Sequence, residues 1–350
     1  MNTITVAAAQ IRPVLHSLAG SLERLLAAMD EAASHQVQLI VFPETFLPYY
    51  PYFSFIEPPV TMGASHLRLS AEAVTVPGEA VSQVCARAAR HGMAVVLGIN
   101  ERDGGSLYNT QLLIDERGEL QLHRRKITPT YHERMVWGQG DGSGLAVVPM
   151  AGARVGALAC WEHYNPLARF ALMAEQEEIH CAQFPGSLVG PIFTEQTAVT
   201  TCHHALEAGC FVVCSKAWLA EEDIATICPD PALQRAFRGG CHTAVISPEG
   251  RYLAEPIGDG EGLTIAELDP TLITKRKRMM DCIGHYGRPE LLRLHHDRAP
   301  HGYRTPSAPP LQPQSQPPPE ARPGADEVGS SMLMATESSP AHALLEVGHG

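Results

Sequence analysis

From Ile4 to Leu268, short apolar runs alternate with amphipathic segments, and this alternation restricts the fold more than any other feature of the chain. The runs Ile4–Gln10, Val37–Phe42, Met93–Ile99, Val155–Ala159, His180–Phe184, Phe211–Ser215, Thr243–Ile246 and Leu263–Leu268 are four to seven residues long and nearly free of charge. That is the pattern of strands buried on both faces. Between them, Ser21–His35 carries Leu22, Leu25, Leu26 and Met29 at helical spacing, and Glu79–Arg90 reads as a helix capped by Gly92. Asn165 and Pro166 form an N-cap and first-turn pair for a helix through Gln176, Thr194–Ala208 reads as another, and a last one starts near Asp269-Pro270. Leu107–Ile114 and Glu119–His123 flank Asp115–Gly118, a hairpin signal. Helices covering short apolar strands mean a layered α/β domain, with no internal repeat and no linker dividing it.

Charge and composition narrow the function classes. Acids outnumber bases 38 to 26, for a formal charge of -12, which argues against nucleic acid or an anionic membrane as partner. No apolar run approaches the roughly 20 residues that span a bilayer. The start, MNTITVAAAQIRP, lacks a basic region followed by a long apolar stretch, so the expected location is cytoplasmic. The four lysines are Lys126, Lys216, Lys275 and Lys277; none follows a glycine, which excludes a phosphate loop ending in Gly-Lys-Ser/Thr. Nine cysteines at irregular spacing, with no Cys-x-x-Cys pair, read as free thiols. From about Arg304 the chain turns Pro-rich, a composition that predicts a disordered tail; within it the short apolar patch Ser331–Met334 could dock. The expected division is a domain over 1–295 and an extension over 296–350.

Three residues stand where chemistry is expected. Cys160 closes the run Val155–Ala159 a few residues before a helix, where turn amides can face a developing anion. Glu44, in Phe42-Pro-Glu-Thr45, follows another apolar strand, and in parallel sheets the C-terminal strand ends gather at the ligand-binding edge. Lys126 follows the hairpin, and Glu133 lies seven residues further on. Taken singly, each has a plain structural alternative: a small buried thiol, a loop-capping carboxylate, a surface ion pair. Tyr49–Phe55 carries five aromatics in seven residues, which suit either a pocket wall with Trp161 and Pro185 as neighbours or a core cluster.

In combination these residues are specific. Phe42-Pro-Glu44, Arg125-Lys126 and Leu158-Ala-Cys160-Trp-Glu-His resemble the Glu-Lys-Cys triad of the nitrilase branch of the carbon–nitrogen hydrolase superfamily. Tyr131-His-Glu-Arg, Gly138-Gln-Gly-Asp and Asp281-Cys-Ile-Gly-His-Tyr-Gly-Arg-Pro289 resemble nitrilase motifs as well, and the similarity runs to about Leu294. The resemblance implies a four-layer α-β-β-α sandwich that self-associates into dimers and larger spiral or filamentous homo-oligomers. It implies Glu44 as general base, Lys126 as the cation near developing negative charge, Cys160 as nucleophile and Glu133 as an auxiliary, positioning group. The implied reaction is hydrolysis of a nitrile, with short aliphatic nitriles and dinitriles and some aromatic ones as the expected substrates, to acid and ammonia through a thioimidate and an acyl-enzyme, without metal or organic cofactor.

Other readings compete. An amidase of the same superfamily would share the triad, although Cys-Trp-Glu-His after the strand is typical of nitrilases. Cys202, His203, His204, Glu207 and Cys210 supply metal-ligand types, but no His-Glu-x-x-His occurs and the groups would face different sides of a helix. Gly138–Gly144 is glycine-rich without the strand and helix of a dinucleotide site, and Gly-x-Ser-x-Gly is missing. A non-catalytic, filament-forming scaffold is the alternative outside enzymes.

Overall fold

The computed structural model describes residues 3–301. Strands β1 (Ile4–Gln10), β2 (Leu39–Val41), β3 (Ala94–Asp103), β4 (Ser106–Ile114) and β5 (Leu120–Arg125) come first; β6 (Val148–Met150), β7 (Ala153–Ala159), β8 (Ile179–Phe184), β9 (Phe211–Lys216), β10 (Ala244–Ile246) and β11 (Gly262–Leu268) follow. They pair into a sheet ordered β11-β1-β2-β3-β4-β5 and a second ordered β10-β9-β8-β7-β6. Each has a parallel centre, β1 to β3 in one and β7 to β9 in the other, flanked by antiparallel strands. The helices are α1 (Leu18–Ser34), α2 (Phe53–Ile56), α3 (Gly63–Glu72), α4 (Glu79–His91), α5 (Pro166–Ala174), α6 (Pro191–Ala208), α7 (Glu221–Ile227), α8 (Pro231–Gln234) and α9 (Thr271–Met279). None is long and apolar enough to cross a membrane.

The two-residue period of a strand sorts its side chains into layers. Ala7, Ile40, Val95 and Leu97 pack outward on Leu22, Leu25 and Met29 of α1 and Val81 and Val84 of α4. Their neighbours Val6, Leu39, Ala94 and Val96 face the other sheet and meet Val155, Ile179, Phe211 and Val213. That sheet's outer face, including Ala182, Phe184 and Val212, is covered by Phe193, Ala205 and Ala208 of α6, while α5 seats Ala168, Ala171 and Leu172 on Leu158. The result is the expected α-β-β-α sandwich.

Local signals set most element ends. Asn165 accepts from the amides of Leu167 and Ala168, at 3.0 and 3.3 Å, and so caps α5. Gly92 closes α4 in the left-handed region, at φ 59°. Asp115 turns the β4–β5 hairpin by accepting from the amides of Arg117 and Glu119. Several boundaries differ from expectation, among them those of α1, α6 and β5. α1 starts at Leu18, because the Ser17 hydroxyl accepts from Gly20 N at 3.0 Å. α6 starts at Pro191, where a proline suits the first turn. β5 continues through Arg125, which delivers Lys126 at the strand end. The expected disordered tail from about residue 304, with its 331–334 patch, lies outside the described residues.

The inter-sheet layer should dominate stability. Leu39→Ala is expected to cost about 2–5 kcal/mol of unfolding free energy, whereas Leu67→Ala, at a side chain 72% exposed, should stay within about 0.5 kcal/mol. Urea unfolding of the two variants checks this; equal midpoints would contradict the layering.

Candidate active site

The C-terminal ends of the parallel strands converge. Glu44 follows β2, and its amide donates to Phe184 O at the end of β8, 3.2 Å away, tying the two sheets at this edge. The turn bearing Glu44 lies flat on β3: a Cβ at Gly98 would stand 2.4 Å from both Pro43 O and Thr45 N. Only glycine permits that approach. Lys126 follows β5, and Glu133 sits in a short 3-10 helix, Tyr131–Met135. Cys160 opens another 3-10 helix, Cys160–Tyr164, directly after β7. Thr45, Tyr131 and Cys160 all hold positive φ, at 43°, 44° and 51°. Left-handed backbone in non-glycine residues costs energy, and three of the seven such residues among those described stand beside the groups expected to react.

Lys126, Glu44 and Glu133 form a buried network, each at most 1% exposed. Lys126 Nζ donates to Glu44 Oε1 and to Glu133 Oε2, both at 2.8 Å. Asn109 Nδ2 donates to Glu44 Oε1 at 2.7 Å, and the Tyr50 hydroxyl donates to Glu133 Oε1 at 2.7 Å. Glu133 Oε2 also accepts from the amide of Thr130, at 2.6 Å. Glu44 Oε2 is buried and has no hydrogen-bond partner among the described residues. Burial drives the Glu44 carboxyl up to about 7, opposed by Lys126 and reinforced by Glu133. Burial alone would depress Lys126, but Glu133 and Glu44 hold it protonated, above the ordinary lysine value. Burial, with the charge of Glu44, pushes the Cys160 thiol well above its usual range, and Lys126 opposes that rise. A resting thiol of this kind needs a base to become a nucleophile.

Cys160 opens onto a cavity of about 250 Å³, shared with Tyr50, Phe55, Glu133, Trp161, Leu188 and Phe193 among its walls. Of the expected pocket residues, Tyr50 and Trp161 line it, while Pro185 is buried and is not among the lining residues. The aromatic run serves both roles: Tyr50 and Phe55 line the cavity, while Tyr49, Tyr50, Tyr52 and Phe53 belong to a core cluster with Leu69 and Phe237, against which Phe55 also packs.

Several residues here carry no obvious signal in the sequence. Asn109 is one of three successive polar side chains in β4, with Thr110 and Gln111. Arg124 and Glu162 form a buried bidentate pair, at 2.8 and 3.0 Å, and Glu162 also accepts from the amides of Ala159 and Ile127, both at 2.8 Å. One carboxylate thereby clamps the residue before Cys160 to the residue after Lys126. Lys216, at the end of β9, is fully buried, with Nζ 3.9 Å above the Phe193 ring and 3.4 Å from Thr197 Oγ1. Burial lowers it to about 8. Of the metal-ligand types weighed above, His203 is exposed and lies near Glu207, whereas His204 turns inward to Glu177. Glu177, His180 and His204 bring ligating atoms within 4.8 Å of one another. Each ring, however, is engaged with its own Glu177 oxygen, at 2.9 and 2.7 Å, so they form a hydrogen-bonded set and not a cage around one point.

Glu162→Gln removes the charge that balances buried Arg124 and weakens the clamp. The expected result is a loss of about 3–5 kcal/mol in stability, together with a lower kcat; calorimetry and turnover on the same preparation check it. An unchanged Tm would remove the clamp from the account.

Comparison with known proteins agrees with this fold. The family model for carbon-nitrogen hydrolase matches residues 5–278. A nitrilase from Paraburkholderia phymatum is 64% identical over 293 residues, covering 84% of this chain and 86% of that one. An aliphatic nitrilase from Rhodococcus rhodochrous is 39% identical over 301 residues, covering 84% and 82%. Among solved structures, an amidase from Nesterenkonia sp. AN1 superposes with a TM-score of 0.60 over 79% of this chain and 98% of that one, at 19% identity, a likeness of fold. With its two-sheet sandwich, and with a family match that spans nearly all of the described strands, the chain belongs to the carbon-nitrogen hydrolase family.

Proposed function

We propose that the protein hydrolyses nitriles to the carboxylic acid and ammonia, with Cys160 as nucleophile, Glu44 as general base, Lys126 as the stabilising cation and Glu133 as the group that positions it. The observation that carries this reading is the buried Lys126 ammonium held at 2.8 Å from two carboxylates beside a cavity onto which a buried thiol opens. Its support from relatives is the curated nitrilase at 64% identity.

The free Glu44 Oε2 takes the Cys160 proton as sulfur attacks the nitrile carbon, and the same proton passes to nitrogen to give a thioimidate. Lys126 and the amide of Trp161, in the first turn of its 3-10 helix where no intrahelical acceptor exists, face the charge that builds on nitrogen and later on oxygen. Water activated by Glu44 adds to the thioimidate carbon, ammonia departs, and the acyl-enzyme remains. A second water, activated in the same way, releases the acid and returns the thiol. Glu133 works by holding Lys126, and Tyr50 by holding Glu133. The small cavity, walled by Phe55, Trp161, Leu188 and Phe193, suits short aliphatic nitriles and dinitriles, with aromatic nitriles as poorer substrates. The proposal extends to a hydrolase domain over 1–295, a cytoplasmic location, and assembly into dimers and larger spiral or filamentous homo-oligomers, as the family resemblance implies.

Product analysis on aliphatic, arylaceto- and aromatic nitriles, with ammonia measured in parallel, tests the reaction. Acid and ammonia in equal amounts are expected, with loss of turnover in Cys160→Ala; full turnover in that variant would contradict the mechanism. Because Glu44 must be ionised to act, and burial places it at about 7, kcat/KM should rise with pH through that region. A rate independent of pH between about 5 and 9 would exclude Glu44 as the base. Sedimentation velocity should show species larger than one chain; a monomer at assay concentration would refute the assembly.

A further inference from the structure

Behind the nucleophile runs a buried row of side chains that the reaction does not use. His163 Nδ1 lies 2.6 Å from the main-chain oxygen of Cys160, and His163 Nε2 lies 2.9 Å from His180 Nε2. His180 Nδ1 lies 2.9 Å from Glu177 Oε2, and His204 Nε2 donates to Glu177 Oε1 at 2.7 Å. All four side chains are at most 2% exposed, so no bulk water completes the row. The His163 ring also stacks on Phe184, with the planes 16° apart.

Hydrogen-bond direction decides how many protons this row holds. A carbonyl oxygen can only accept, so His163 Nδ1 must donate to Cys160 O. A neutral imidazole donates through one nitrogen, which leaves His163 Nε2 as an acceptor facing His180. His180 then spends its N–H on His163 and turns a lone pair toward Glu177 Oε2, where a bare carboxylate has only lone pairs to offer. Moving the extra proton to His163 or to His180 satisfies the contacts equally well, but none of these arrangements omits it. Three contacts in series need three protons, and two neutral rings supply two.

We propose that His163, His180 and Glu177 hold one shared proton beyond two neutral rings and a carboxylate, and that this charge-neutral row positions Cys160 by gripping its carbonyl. The grip matters because Cys160 sits in left-handed backbone, at φ 51°, a conformation its surroundings must maintain. Without the shared proton, one of the contacts becomes lone pair against lone pair, and the row carries a negative charge behind a thiol that must itself become negative. The inference rests on Cys160 as nucleophile, but its test does not depend on nitrile turnover.

Glu177→Gln supplies what the row requires without titrating: its amide N–H donates to His180 Nδ1 and its oxygen accepts from His204. The rate at which iodoacetamide alkylates Cys160, read by peptide mass spectrometry, should therefore stay within about twofold of wild type in Glu177→Gln. It should fall by about 100-fold in Glu177→Ala, as expected for a misplaced reacting group. Glu177→Gln as impaired as Glu177→Ala would overturn the proton count, and Glu177→Ala as reactive as wild type would overturn the positioning role. Should Glu177→Ala not fold, neutron diffraction on the wild-type protein decides: deuterons along all three contacts support the row, and a contact without one refutes it.

Discussion

One ammonium group surrounded by two carboxylates holds this structure's functional end together. Glu44, from the connection after β2, and Lys126 and Glu133, both from the connection after β5, are buried as a unit, with donor–acceptor contacts of 2.8 Å. Taking three charges out of water is costly, and a lone member would be intolerable there; Lys126 stabilises both carboxylates, which also accept from Asn109, Tyr50 and Thr130. The loops are therefore locked in position before any substrate arrives. Such preorganisation lets a site stabilise charge as it develops without first rearranging.

The rest of the fold serves that lock. Between the sheets the middle of the sandwich is apolar, but toward the site it becomes a polar layer. Gln111 donates to Gln183 at 2.7 Å, Gln183 donates to Phe42 O at 2.7 Å, and Arg124 pairs with Glu162. These contacts join Phe42 and Arg124, just upstream of Glu44 and Lys126, to Gln183 and to Glu162, just downstream of Cys160, across the two sheets. The left-handed residues Thr45, Tyr131 and Cys160 stand where the backbone leaves regular structure to present those groups. Strain of this kind persists only where the neighbours over-determine it, and here Glu162 and His163 do so on either side of the nucleophile.

How much of this could be read from the chain follows from the range of each signal. Apolar runs and local caps are short-range, so β1, β7 and the Asn165 cap of α5 could be located from neighbouring residues alone. The four layers and the pairing of Glu44, Lys126 and Cys160 came from the family resemblance, because no local rule says which strand ends meet. Asn109, Arg124 and Lys216 stayed invisible: each is a polar residue in or beside a strand, and its meaning lies in a partner remote in sequence. The run Tyr49–Phe55 was ambiguous for another reason. Its turn into α2 lets Tyr50 and Phe55 line the cavity while all five rings pack in or against one core cluster, a double role that composition cannot express.

The central claim is covalent: substrate carbon becomes bonded to one sulfur among nine cysteines. Acid-quenching the wild-type protein during turnover of a short aliphatic nitrile, followed by peptide mass spectrometry, tests it directly. The mass of the acyl or thioimidate group is expected on the peptide containing Cys160 and on no other. Turnover with an unmodified Cys160 peptide, or with the adduct on a different cysteine, would contradict it.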